Sequence, residues 1–238
     1  MRSRTQKTRA ENHISAPLLD WVHQDRVLLR VVLKVGILDC DAERLSLAAS
    51  VRRIEEARPR LVVMVLYGQN PNSGTTSMIG GLALAKALKA AGISAPVCFV
   101  GSHTSALPRE VLAEDAVDIV LLNEGVYALL NLLRSDLRHD LSTIKGIGYK
   151  TIPGDPRSSV LNPPERIVPQ SHMDIDLPGY AWDLLPYKER PLDLYRAHFW
   201  HAEFDHAKRT PFAAIYTSLG CKFACNFCMI NIVNRVDN

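Results

Sequence analysis

Between Val35 and Leu133, short runs of apolar, β-branched residues alternate with longer stretches whose apolar positions recur at helical spacing. That alternation is the signature of crossover helices joining parallel strands, so the fold class is α/β, with a Rossmann-like parallel sheet. Strands are predicted at Val35 to Leu38, Leu61 to Leu66, Val97 to Val100 and Ala116 to Leu122. Helices are expected at Ala42 to Ala57, where Leu45, Ala48, Ala49 and Ile54 fall near helical spacing and Pro59 follows the end. Further helices are expected at Met78 to Ala91, from Pro108, and at Val126 to Leu133. Pro17 to Val32 reads as the helix before the first strand, and no good strand stands ahead of it. Such a strand would ordinarily be central, so its loss is expected to expose a ladder of backbone groups.

The polar positions gather where these strands end. After Leu66 comes a loop, Tyr67 to Ser77, in which Gly68, Gln69, Asn70, Pro71, Asn72, Ser73 and Gly74 supply more turn formers than a connection requires. Val100 is followed by Gly101, Ser102 and His103, and Leu122 by Asn123, Glu124 and Gly125. Ligands of open α/β sheets sit at the carboxyl ends of strands, so three such loops define an expected binding face. Glycine after a strand is also ordinary turn chemistry, which is the plainer reading of any one loop.

From 151 to 200 the pattern breaks down. Pro153, Pro156, Pro163, Pro164, Pro169, Pro178, Pro186 and Pro191 interrupt it, while Trp182, Tyr187, Tyr195, Phe199 and Trp200 give more aromatic surface than a free tether carries. A wrapping linker is expected. The reading divides the chain into a polar tail (1–15), an α/β unit (16–150), a linker (151–208) and a final segment (209–238). In the last, Pro211 to Ser218 reads as a buried strand through Phe212, Ile215 and Tyr216.

Composition narrows the function classes. Of 238 residues 47% are hydrophobic and 22% charged, the balance of a soluble, core-forming protein. Arg30 and Lys34 interrupt the apolar stretch Val27 to Leu38, so no membrane span is expected, and Met1 to Ser15 lacks the apolar core of a secretion signal. The net charge of +3 is spread along the chain without a basic, aromatic-interleaved patch, which argues against nucleic acid as a partner. Cys40 and Cys98 stand alone in apolar segments, as small core hydrophobes do, whereas Cys221, Cys225 and Cys228 crowd into eight positions. Three close thiols suit a metal better than disulfides and point to the cytoplasm.

Thiolates are soft ligands that suit iron–sulfur clusters and zinc. A [4Fe–4S] cubane offers one ligand position per iron, so three cysteines leave one iron open to a substrate or cofactor. Zinc would require a fourth ligand, for which His201 and His206 are the candidates.

The Cys-x3-Cys-x2-Cys loop after an expected strand, with Phe227 before the last cysteine, resembles that of radical S-adenosylmethionine (radical SAM) enzymes. The resemblance implies Cys221, Cys225 and Cys228 as ligands of a [4Fe–4S] cluster, S-adenosylmethionine chelated to the open iron and cleaved to a 5′-deoxyadenosyl radical, and Phe227 beside the adenine. It also implies the start of a partial TIM-type barrel, a small-molecule substrate of unset identity, and an electron donor such as a reduced flavodoxin or ferredoxin.

The α/β unit resembles the cobalamin-binding domain that precedes many such barrels, through Leu38 to Glu43, Gly68 to Pro71, Val100 to His103 and Glu124-Gly125. By that resemblance cobalamin lies over the strand ends, with Gly68, Gln69, Asn70, Ser102, His103 and Glu124 among its loops. Ser73, Thr75 and Thr76 would bond its nucleotide tail, and Gly101 and Gly125 would leave room for it. The Asp-x-His-x-x-Gly motif that supplies a lower histidine ligand in some cobalamin enzymes is absent, and His103 reads as an ordinary loop histidine. The sequence stops at Asn238, ten residues after Cys228, so it is expected to be the N-terminal portion of a B12-dependent radical SAM enzyme, with methyl transfer one candidate chemistry. The alternative is a non-catalytic cobalamin-binding module with a zinc-loaded or empty cysteine loop.

Overall fold

The computed structural model describes residues 35–67, 73–135, 137, 140–186, 195–197, 199–213, 223 and 225–228. The expected helix Pro17 to Val32, the loop residues Gly68, Gln69 and Asn70, the Ile215–Tyr216 part of the expected late strand, and Cys221 lie outside these residues.

Five strands form the described sheet: β1 (Val62–Val65), β2 (Val97–Val100), β3 (Ile119–Leu121), β4 (Ile147–Lys150) and β5 (Ser159–Leu161), in the order β1-β2-β3-β4-β5. β1, β2 and β3 are parallel, with Val62 opposite Val97 and Cys98 opposite Ile119. β4 and β5 extend the sheet antiparallel, an addition the sequence pattern did not suggest. β5 lies within the stretch read as linker, because Val160 and its neighbours pair with Tyr149 through a hairpin whose turn holds Pro153 and Pro156.

The parallel strands are buried on both faces, as continuous Val/Ile/Leu runs require. On one face Val97 and Phe99 meet Leu84, Ala85 and Leu88 of α2 (Ser73–Ala90) and Val111 and Leu112 of α4 (Pro108–Leu112). Leu45, Val51 and Ile54, from or just before α1 (Leu47–Ala57), pack at the margin of that cluster. On the other face Cys98 and Val100 meet Ala128, Leu129 and Leu132 of α5 (Val126–Arg134). Cys98 is fully buried and burial pushes its thiol pKa upward; Cys40 is buried and shifted the same way, so both behave as core side chains.

Three expected elements differ. Val35 to Leu38 is no strand of the described sheet; Leu38 packs on the core from outside it, and β1 is the first strand in the order of the described residues. The helix expected from Ala42 begins at Leu47, because Asp39 Oδ1 accepts the Ala42 N–H and holds a turn that ends at left-handed Arg44. Ser46 then caps α1, its Oγ accepting the Ala49 N–H at 3.3 Å. Ser46→Ala is expected to lower stability by about 1 kcal/mol, read as a shift in urea midpoint at constant slope. Third, α2 starts at Ser73 and so takes in residues assigned to the preceding loop.

The linker packs against the unit where it is described. Tyr195 hydroxyl donates to Asp39 Oδ2 at 3.3 Å, and burial, ahead of the neighbouring Asp41 and Glu43 charges, raises the Asp39 pKa. Phe212, expected to be buried in a strand, is 48% exposed; Pro211 makes only an isolated bridge with Arg196.

Candidate functional site

β1, β2 and β3 end on the same side of the sheet because they are parallel, and the segments that follow are tied to one another. Gly101 (φ +149) lies against β1 so closely that a Cβ there would sit 2.2 Å from the Leu66 carbonyl oxygen. The room gained by lacking a side chain is filled by the Leu66 backbone, which is a packing reason for glycine at this position. Gly74, in the first turn of α2, is equally close to the second loop: a Cβ would sit 2.3 Å from Ser102 Oγ. Beside this contact Thr75 Oγ1 and His103 Nδ1 are 3.1 Å apart and hydrogen-bonded. Ser102 opens α3 (Ser102–Ala106), whose Ser105 Oγ donates to the Asn123 carbonyl at 3.2 Å, linking the second loop to the third.

The structure thus brings Gly74, Thr75, Gly101, Ser102 and His103 together. Thr75 and Thr76 are exposed on the first turn of α2, His103 is half-buried and Ser102 buried. A face of hydroxyls, an imidazole and the amino end of an 18-residue helix offers hydrogen-bond donors to a polar or anionic group. Of Ser73 only the backbone position is described, as the first residue of α2.

Glu124 departs from this group. Its Oε1 accepts the N–H of Val168 from the linker, and the side chain is 5% exposed. Burial, only partly offset by that hydrogen bond, pushes its pKa up to about 7. Gly125 (φ +74) serves as the left-handed residue before α5. Sequence reasoning missed this engagement of the third loop by residue 168; Glu165-Arg166, charged residues amid prolines, was the available signal.

At the other end, Cys225 and Cys228 bracket a turn closed by the Cys228 N–H donating to the Cys225 carbonyl at 3.2 Å. Cys225 is exposed, Cys228 half-buried and both thiols are free, while Phe227 between them is 87% exposed. A tight turn with two accessible thiols at its ends fits the donor set of a metal cluster. Among the described residues no three His, Cys, Asp or Glu side chains converge to hold a metal, and neither His201 nor His206 completes such a group with this pair. His201 instead stacks on Phe212, ring centroids 6.3 Å apart.

The chain is a mixed α/β protein with a polar strand-end face and, apart from it, a cysteine turn. It is 28% identical over 196 residues, 82% of its length, to an uncharacterized methyltransferase, PH0819, of Pyrococcus horikoshii, and spans 36% of that relative's length. A solved structure, the apo form of the cobalamin-dependent S-adenosylmethionine radical enzyme OxsB, aligns with 58% of this chain and 18% of its own at a TM-score of 0.40 and 14% identity, too distant to carry an argument. No family model matches. Among the described residues no helix is long and apolar enough to cross a membrane.

Proposed function

We propose that this chain is the cobalamin-binding unit and cluster loop of a B12-dependent radical SAM methyltransferase. The observation that carries the reading is the Cys225–Cys228 turn: two accessible thiols with an outward Phe227, in the spacing that the sequence continues back to Cys221. The relative's name, a methyltransferase, supports the reaction class.

Cys225 and Cys228, with Cys221, would hold the [4Fe–4S] cluster, and the strand-end face would hold cobalamin; together these groups supply one-electron and methyl-transfer chemistry. The chain's own residues bind and orient. Phe227 offers an apolar ring face for a nucleobase, which explains an aromatic side chain left in water. Thr75, held by His103, presents its hydroxyl in a fixed direction beside the amino end of α2. Close packing of Gly101 on the Leu66 backbone and of Gly74 on the Ser102 side chain holds the first turn of α2 against the start of α3.

The test is retention of hydroxocobalamin by the intact chain through gel filtration. The expected result is a co-eluting corrin absorbance that drops at least about tenfold on Thr75→Val plus His103→Phe, roughly 1.4 kcal/mol of binding. A parent chain that elutes colourless sinks the cobalamin half of the reading.

A further inference from the structure

Beyond β5 the chain doubles back as a strap, residues 163–176, over the turn after β3 and over α5. Asn123 Nδ2 donates to the Glu165 carbonyl at 3.4 Å and Asn131 Nδ2 to the Glu165 carboxylate at 3.1 Å. The Tyr127 hydroxyl donates to Asp176 at 2.5 Å, and the Arg166 guanidinium stands 4.9 Å from the centre of the Tyr127 ring. These contacts lie at the margin. Val168, midway along the strap, is itself buried, and its N–H is received by the buried Glu124.

We infer that the strap is a proton-operated latch on the strand-end face, closed while Glu124 is protonated and loosened when its carboxyl ionises beneath Val168. Two observations support this. The clasp is made by a buried acid that accepts a backbone N–H of the strap, and the same acid sits in the turn between β3 and α5, one of the three segments that border the face. The charged and titratable groups nearby are Tyr127 on α5, Glu165 and Arg166 on the strap, and Asp176 on α6 (Met173–Asp176). Burial, partly offset by the Val168 N–H, leaves the closed-state pKa at about 7.

The direction follows from the proton balance. With the strap open, the carboxyl regains its ordinary value of 4.5, so between 4.5 and about 7 the closed form holds a proton that the open form releases. Opening is therefore disfavoured in acid and eased as pH rises through that window, by about tenfold between pH 6 and pH 8. The latch stands whichever ligand the face takes.

Amide hydrogen exchange of the intact chain, measured on peptides spanning 165–170 and corrected for the intrinsic pH dependence of exchange, reads the opening. The parent is expected to lose about tenfold in protection from pH 6 to pH 8, with α2 peptides unchanged. Glu124→Gln, which keeps a neutral acceptor for the Val168 N–H, should hold its protection constant, and Val168→Pro, which removes the donor, should exchange fast at both pH values. A parent with flat protection, or a Glu124→Gln chain that keeps the tenfold change, overturns the latch.

Discussion

Replacing Cys225 with alanine abolishes the brown species expected when the chain is reconstituted anaerobically with iron and sulfide, taking bound iron from about four per chain to well below one. The size of the effect follows from the chemistry of the site. A cubane held by three thiolates has no spare ligand, so losing one leaves two irons without protein sulfur and the cluster open to water. Cys40→Ala is the matched control: that thiol is buried in the core, its pKa raised by burial, and bound iron should not change. Iron retained by the Cys225→Ala chain, or a parent that takes up zinc and no iron, would sink the cluster assignment. The cobalamin test is separate, so one half of the proposed function is able to fail without the other.

The second large effect is on stability. Gly101→Ala is expected to destabilise the α/β unit by at least about 3 kcal/mol, at the upper end for a single substitution. The added Cβ would meet the Leu66 carbonyl oxygen at 2.2 Å and its carbonyl carbon at 2.8 Å, at a backbone φ of +149 that L residues rarely adopt. Relief is not available from a side chain, because the obstacle is backbone. The next rung, the Leu66 N–H donating to the Val100 carbonyl at 2.8 Å, ties that backbone to β2. Gly36→Ala, at a position with open space around it, should change stability by no more than about 0.5 kcal/mol. Urea midpoints of the two variants give the comparison, and a Gly101→Ala chain as stable as the Gly36→Ala chain would refute the steric account.

The parallel core was legible because its residues obey one rule: Val97 to Val100 is apolar at every position, flanked by Pro96 and Gly101, and the observed β2 has the same limits. Val35 to Leu38, apolar but for Gly36, read as a strand too and formed no strand of the described sheet. Local pattern records that a segment is apolar, whereas Leu38 packs on the core without a partner in the described sheet, and pairing depends on residues far away in sequence. β4 and β5 were missed for the converse reason. Gly148 and Lys150 spoil the apolar run of β4, yet both are buried, Lys150 by directing its Nζ to the Glu114 carbonyl at 2.7 Å.

At the site, the grouping of the first two loops followed from strand order, which sequence spacing reveals. What each residue does there did not. Gly101 proves to be needed by Leu66 and Glu124 is engaged by Val168, contacts that no motif encodes because each depends on where a distant backbone atom comes to rest. Cys225 and Cys228 lie at the two ends of one turn, a placement that their short spacing makes readable from sequence.

The bond between Tyr195 and Asp39 spans 156 positions. Closing a loop of that length carries an entropy penalty that only a preformed target repays, and the turn holding Asp39 leads directly into α1. Chain synthesis also delivers the tyrosine long after every sheet strand has emerged. The contact therefore belongs to the end of assembly: the sheet and its helices come together first, and residues 195–213 settle onto a finished surface. In amide exchange this order would appear as peptides from 199–213 opening at lower free energy than β1 to β3.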